Sequence, residues 1–552
     1  MSLQRSCRCG PRGAAGPLKS SAPLAHTSRS IPGVPVRFRI LFAALFLAWG
    51  PVASASKTST VSARVFLDDN ADGRWSPGER GAPDVGVSDG VTVWRTGAKG
   101  EVTLAAEDDA LLFVIKPAGF SLGVRPDGLP DFWRVAKANA EVWQVPLIAD
   151  AAKPPFSVRV FGDPQPKNEA DVGYYARDIV ANELRLPRAQ LGLSLGDIVH
   201  GNLPLFPAMI AATAAMKTPW LHVSGNHDRD YGAENDPGSL ATFRSYFGPD
   251  TFAWEESGLA LVVLDNVIHQ PGTGAPARYV GGLREEQFAF LASYLATVPS
   301  DVLLVLSMHI PLFDADVDPA VDTFRDADRQ RLFAMLQARR HVLVLSSHTH
   351  TQGHHWHSRA EGWQGAEPLH EYNVGAACGA FWTGVKNASG IPDTRMADGT
   401  PNGFATLQVL TEGGYSLRWH AAGEESDPAF ALHAPKVLRQ GAWPGFGIYA
   451  NVWMGDATSR VEYRIGEGNW LPMQRVDRAD PELLAINAAD DAAPELRGYD
   501  RAPEARTSPH LWRAALRTDL PIGEHRVEVR VFDRWRGEQR QTVTYRLVEA
   551  QP

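Results

Sequence analysis

Five short clusters of oxygen and imidazole donors punctuate the middle of the sequence, and each follows directly on an apolar run. Residues 156–162 lead into Asp163-Pro164-Gln165, and 191–195 into Gly196-Asp197. Residues 220–224 lead into Gly225-Asn226-His227-Asp228, 302–308 into His309-Ile310-Pro311, and 342–347 into His348-Thr349-His350. Donors of these types suit Zn²⁺, Mn²⁺ or Fe and serve Ca²⁺ poorly. Asp163, Gln165, Asp197, Asn226, His309, His348 and His350 are more ligands than one four-coordinate ion can use. Two ions about 3.5–4 Å apart, bridged by one carboxylate, are the economical solution. A Gly-Asp pair or a His-x-His alone is weak, but five such clusters, each at the end of an apolar run, are not a chance pattern.

If the apolar runs are neighbouring buried strands, their C-terminal ends bring all five clusters to one rim, where α/β sheets bind ligands. Helical patterns over 169–186, 205–216, 284–295 and 325–338 alternate with them. Alternating strands and helices predict an α/β domain whose sheets are covered on their outer faces.

The order Asp-x-Gln, Gly-Asp, Gly-Asn-His-Asp, His, Ser-His-Thr-His resembles the signature of the calcineurin-like metallophosphoesterases, over roughly residues 156–420. The flanking segments also resemble modules found on a bacterial branch of that family. The resemblance implies a four-layer αββα domain, residues 154–420, between β-sandwich-like domains at 57–150 and 427–552. It further implies a hydrolase that cleaves a phosphomonoester or phosphodiester by attack of a dimetal-bound hydroxide. Carried over by position, Asp163, Gln165 and His350 hold the first metal, Asp197 bridges, and Asn226, His309 and His348 hold the second. His227 contacts the phosphate or protonates the leaving oxygen, and Asp228 orients its ring and favours its protonated form. The sequence departs twice from the family pattern. Gln165 stands for the usual His, which predicts an altered metal preference, and Ser347 stands for a Gly, a backbone change that removes no donor.

In the N-terminal segment, residues 63–67, 90–94 and 110–115 read as strands separated by turns. Between the first two, Asp68, Asn70, Asp72 and Glu79 fall at positions 1, 3, 5 and 12 of a loop, with Gly73 at 6. That spacing wraps a calcium ion in oxygen ligands. The flanks are strands, so the loop resembles those of bacterial Cna-B-like repeats rather than an EF-hand; an acidic, solvated turn is the alternative. In the C-terminal segment, 447–453, 459–465 and 523–533 alternate apolar and polar residues as half-buried strands do, which predicts an immunoglobulin- or fibronectin-like sandwich.

Other histidines read more plainly. His354, His355 and His357 follow the last ligands closely and read as a polar strand, an extension of the site being the alternative. His370 reads as structural, an approach to the metals being the alternative, and His222 as a hydrogen-bonded core residue. His200, just after Asp197, either lines the cleft or does not. The Gly- and Pro-rich stretch 379–403 is a long loop beside the site, a position that often sets specificity. Trp382 and Asn402 are its candidates for a substrate wall, an ordinary packed loop being the alternative.

Arg37 and Arg39 precede an apolar run over 40–49 and the small residues Ala53-Ser54-Ala55. This reads as a signal peptide cleaved after Ala55 and an exported, periplasmic or secreted protein. A translation start placed too early, or a retained anchor, accounts for the long stretch ahead of the run. The run is short of the ~20 apolar residues of a bilayer span, so no transmembrane helix is expected in the mature chain. Cys7 and Cys9 fall in the leader, leaving Cys378 as a lone buried thiol. A net charge of −9 provides no basic footprint, so duplex nucleic acid is not an expected partner. A small-molecule, lipid or nucleotide phosphoester is. The competing reading is a non-catalytic surface or envelope binding protein with a vestigial metal site.

Overall fold

The computed structural model describes residues 58–137, 141–150, 152–272, 278–315, 323–424, 426–443 and 445–550; the expected leader, with Cys7 and Cys9, lies outside them. Two sheets face each other at the centre. The first runs Trp220–Val223, Leu191–Leu195, Phe156–Phe161, Gly403–Val409, Tyr415–Ala421, with the first three strands parallel and the last two antiparallel. The second runs Thr251–Glu256, Leu259–Leu264, Leu303–Ser307, Val342–Ser346, Leu369–Asn373, Gly353–His357, and its four inner strands are parallel. Leu259–Leu264 and Leu303–Ser307 are buried at every position. Strands covered on both faces read in sequence as continuous apolar runs, and these do.

Val158, Val160, Leu191, Leu193 and Val223 of the first sheet share one core with Leu261, Val263, Leu304 and Val344 of the second. The helix Phe206–Ala214, and the helical stretch that begins at Glu169–Tyr175 and continues to Glu183, cover the outer face of the first sheet around Phe161, Trp220 and Phe404. Glu285–Leu295 and Asp326–Leu336 cover the second sheet with Phe288, Leu291, Leu332 and Leu336. The layers are therefore αββα. The five apolar runs divide between the sheets, three in the first and two in the second, so the rim is a seam between two sheets rather than the edge of one.

The N-terminal segment forms a five-stranded sheet around Thr58–Leu67 and a four-stranded sheet with Gly86–Ser88 and Leu111–Val114. Only the end of the 90–94 run is strand, Val93–Arg95, because the Asp89 carboxylate accepts from Val91 N and Thr92 N and closes a turn there. This module shares the central core. Phe113 packs edge-on against Phe252 and Phe290, and Phe132 packs against Trp254. Buried Lys116 pairs with Glu256 at 2.6 Å.

The C-terminal strands form two sheets, one around Gly447–Val452 and Leu511–Ala515, the other around the long hairpin Gly523–Asp533 and Gly537–Val548. Val452, Trp512, Val529 and Tyr545 fill the space between them. The sandwich meets the 379–403 loop at a buried polar knot. Asp398 accepts from Gln352 N and lies 3.2 Å from His510 Nε2, while Asn451 bonds His510, Asp480 and the Asp398 carbonyl. Among the described residues, no helix is long and apolar enough to cross a membrane.

Candidate metal centre

Each candidate ligand stands two to four residues past a strand end, where the chain must turn sharply. Asp163, Gln165, Asp197, His348 and His350 have φ between 37° and 71°. Left-handed backbone costs a non-glycine residue about 1 kcal/mol or more, and such strain gathers at functional sites. Packing around the turns is close. A Cβ on Gly225 would lie 2.1 Å from Asp197 N, so only glycine fits there.

Four donors converge on one point. His309 Nε2 lies 3.0 Å from Asn226 Oδ1, 3.1 Å from His348 Nδ1 and 3.4 Å from Asp197 Oδ1. Asp197, His309 and His348 offer ligand atoms all within 4.8 Å of one another. Beside them, His350 Nε2 lies 3.6 Å from Asp163 Oδ1. His309 Nδ1–H donates to Leu195 O at 2.8 Å, and His350 Nδ1–H donates to Gly379 O at 2.7 Å. Each ring is thereby fixed in the tautomer that turns a bare Nε2 lone pair inward, as metal-binding histidines are. Asp163 Oδ1 is buried with no hydrogen-bond partner, and a buried carboxylate oxygen with nothing to accept is costly unless a cation meets it. The donor set fits divalent transition ions.

Electrostatics agree. Burial alone would lower His309, but the Asp197 and Asp163 carboxylates outweigh it and lift the ring to about 9. Burial would raise Asp197, yet His309 holds it below the usual carboxylate range. The pocket's negative potential thus draws a proton to the point where a cation would sit. Burial, then His309, lowers His348 to about 3, leaving it a neutral donor.

Gln165 is in the centre, but its amide nitrogen donates to Asp197 Oδ2 at 3.0 Å and its oxygen lies 3.8 Å from Cys378 Sγ. Its carbonyl faces the metal pocket only if the amide turns over. Buried Cys378 touches the back of both Gln165 and His350.

Three expectations are corrected. Asp228 does not orient His227. Its carboxylate accepts from Ile198 N, Val199 N and Gly225 N at 2.9–3.1 Å, pinning the loops that carry Asp197 and Asn226 together. Burial and the Asp197 charge raise its pKa, and its oxygens are engaged by backbone rather than by the His227 ring. His227 Nδ1 instead meets Tyr231 Oη at 3.0 Å, its ring stacks on His200 at 4.3 Å, and burial lowers its pKa. Trp382 is not an open stacking surface; it is 3% exposed and its Nε1–H donates to Pro164 O at 2.9 Å, bracing the Asp163–Gln165 turn. Asn402 is not a wall residue either. It is buried, and its amide donates to Asp178 Oδ2 and Ala377 O.

One exposed ring near the centre is Phe381, at 5.7 Å from His200, 5.5 Å from His350 and beneath Lys167 Nζ at 4.4 Å. On another side Tyr279 meets His348 edge-on at 6.0 Å. His200 therefore lines the cleft. His222 is buried as expected, but neither nitrogen has a hydrogen-bond partner; its ring packs on Phe247. His370 stacks on Trp356 and bonds Tyr415 Oη, a structural position.

Reading the sequence missed Asn266, fully buried, whose Oδ1 accepts from His309 N and Ile310 N and whose Nδ2 donates to Ile310 O. The signal was present, since 259–264 is one more apolar run ending in Asp265-Asn266. In the N-terminal loop, Asp68 is buried and accepts from Asp72 N and Gly73 N, Asn70 Oδ1 accepts from Asp72 N, and Glu79 Oε2 accepts from Ser76 N.

This architecture, with its donors on one seam, has a match among known families. Residues 156–352 match the family model described as calcineurin-like phosphoesterase, and residues 371–539 match the model for the C terminal of calcineurin-like phosphoesterase. The chain belongs to that family and is a metal-dependent phosphoester hydrolase. A solved structure, purple acid phosphatase PPD1 from yellow lupin (Lupinus luteus) seeds, is similar at 12% identity over 66% of this chain and 67% of that one. The TM-score between the two is 0.35. No curated protein matches the chain.

Proposed function

We propose that the enzyme is exported and hydrolyses a phosphomonoester or phosphodiester of a small molecule, lipid or nucleotide at this seam. Asp163, His350 and a turned-over Gln165 would hold one ion of Mn, Fe or Zn, Asn226, His309 and His348 a second, and Asp197 both. Such ions, when bound, lower the pKa of a coordinated water and neutralise charge on phosphoryl oxygens. The observation that carries this reading is the meeting of Asn226, His348 and Asp197 at Nε2 of His309, beside the unsatisfied Oδ1 of Asp163.

The chain's own groups do the rest. With Nδ1 engaged by Tyr231, His227 presents Nε2 to a phosphoryl or leaving-group oxygen, where its proton offsets the charge that develops there. Lys167, held over Phe381, adds a positive charge at the rim. Asn266 and Asp228 keep the ligand loops from relaxing, so little reorganisation accompanies reaction. Export rests on the basic, apolar and small-residue sequence of the leader. For the loop at Asp68, Asn70, Asp72 and Glu79, calcium rests on ligand spacing. A Ca²⁺-dependent rise in melting temperature that Asp68→Ala abolishes would support it, and no rise would end it.

The central test is turnover of nitrophenyl phosphate and bis-nitrophenyl phosphate with Mn²⁺. Activity that Asp197→Asn and His227→Ala both abolish supports the reading. A metal-loaded chain inactive on a broad phosphoester panel would leave a binding protein with a vestigial site.

A further inference from the structure

A second convergence of ligand atoms lies apart from the seam, on the edge strand of the second sheet. His355 and His357 alternate on Gly353–His357, so both rings fall on one face, 4.5 Å apart. The turn Arg359–Glu361 that follows is closed by a capping box, in which Glu361 Oε2 accepts from Ser358 N at 2.9 Å. That bond aims the other oxygen, Oε1, back at the strand. It stands 2.6 Å from His355 Nε2 and 3.6 Å from His357 Nδ1.

His357 decides what this cluster is for. Its side chain is completely buried, and its Nε2 lies 2.8 Å from Glu371 Oε2. Glu371 is itself buried and accepts from Leu312 N and Ser346 Oγ, so it is a fixed acceptor that calls for the proton on Nε2. Nδ1 is then a bare lone pair, and it has no hydrogen-bond partner. What it faces is a carboxylate oxygen, too far for a hydrogen bond, which needs about 2.7–3.2 Å. Two acceptors opposed inside a protein repel unless a cation lies between them. Donors about 2.0–2.2 Å from a tetrahedral ion sit roughly 3.4 Å from one another, close to the 3.6 Å between His357 Nδ1 and Glu361 Oε1. The 2.6 Å hydrogen bond between His355 Nε2 and Glu361 Oε1 would open by roughly 1 Å or less to admit the ion.

We infer that His355 Nε2, His357 Nδ1 and Glu361 Oε1 hold a further divalent transition ion of the zinc class, outside the phosphoesterase centre. Two imidazoles and one carboxylate are a ligand set for such an ion, and Glu371 completes the carboxylate–histidine–metal arrangement that orients a ligating ring. His355 and Glu361 are each about one-third exposed, which leaves a path for entry and a position for water. The site also reaches the seam. Glu371 ties the ion's ligand to Ser346, which directly precedes Ser347-His348, and to Leu312 on the loop after His309. Occupancy would therefore stiffen two of the ligand loops.

The test is a Zn²⁺ titration of the full chain after chelator treatment, with elemental analysis of the bound metal. His355→Ala and Glu361→Gln each bind one equivalent fewer than the unsubstituted chain, while Asp197→Asn retains that equivalent whatever it loses at the seam. Glu361→Gln can keep the Ser358 cap, so it carries the test if His355→Ala does not fold. Equal stoichiometry in the unsubstituted chain and in either folded variant overturns the inference, and does so independently of whether the seam is catalytic.

Discussion

The hydroxyl of Ser347, at the end of a strand in one sheet, donates across the seam to Oδ2 of Asp163, at the end of a strand in the other. His348 N adds a second bond to the same oxygen at 3.0 Å. Oδ2 is thus consumed within the protein, and Oδ1 is what remains for a cation. Gly162 makes the contact possible, since a Cβ there would lie 2.2 Å from Ser347 Oγ. The serine that replaces the family's glycine is therefore a positioning residue.

Ser347→Ala tests that role. Groups that orient a ligand typically govern metal affinity by 10–100-fold, so a loss of about tenfold in Mn²⁺ affinity is expected. Stability should fall by only about 1 kcal/mol, as for one hydrogen bond. Metal titration alongside denaturant unfolding separates the two effects. Unchanged affinity would show that the hydroxyl merely fills space.

Gln165 yields a prediction of the opposite sign. Its amide now donates to Asp197, and binding an ion through its oxygen requires both loss of that bond and a turn of the amide. An imidazole carries no such conflict and suits transition ions better. Gln165→His should tighten the weaker-bound ion by about tenfold, or 1.4 kcal/mol, read as a lower Mn²⁺ concentration for half-maximal activity. A higher requirement would mean that the site is shaped around the amide.

Neighbouring aromatics on the long loop should separate cleanly. Phe381 is exposed at the cleft, so Phe381→Ala should raise KM several-fold, the loss of a contact worth roughly 1 kcal/mol, with kcat nearly unchanged. Trp382 is buried and bonds Pro164 O. Trp382→Ala should cost about 3–5 kcal/mol of stability and lower kcat by loosening the Asp163 turn. Steady-state kinetics with thermal melts would distinguish this from the reverse assignment.

Much of the seam was legible because each ligand follows a run such as 302–306, whose all-apolar character marks a strand covered on both faces. The pairing of strands was not, since a run carries no label of the sheet it joins. The same limit hid the Ser347–Asp163 bond, which joins residues far apart in sequence. Adjacency misled for Asp228, which follows His227 in the chain but directs its carboxylate to the backbone of Ile198 and Val199. Gly-rich context likewise could not tell Phe381 from Trp382, because which of two adjacent rings turns inward is set by the carbonyl of Pro164 on another loop.

Buried histidines away from the seam set how the fold meets acid. His222, His354 and His420 are each lowered to about 3, chiefly by burial. His222 has no hydrogen-bond partner, and Arg418 further disfavours charge on His420. In the unfolded chain each titrates near 6.5. Above that pH both states are neutral and these groups contribute nothing. Below it the unfolded chain takes up protons that the native chain refuses until about pH 3, so stability is lost as pH falls through that window. Each group contributes about 1.4 kcal/mol per pH unit, and three give roughly 4 kcal/mol per unit once well below 6.5. Urea unfolding of the metal-loaded chain at pH 6.5, 5.5 and 4.5 should show this steep decline. His222→Leu, which replaces an unpartnered ring with an apolar side chain against Phe247, should reduce the slope by about one proton's worth. A slope that the substitution leaves untouched would mean that His222 is protonated, or solvated, in the native state.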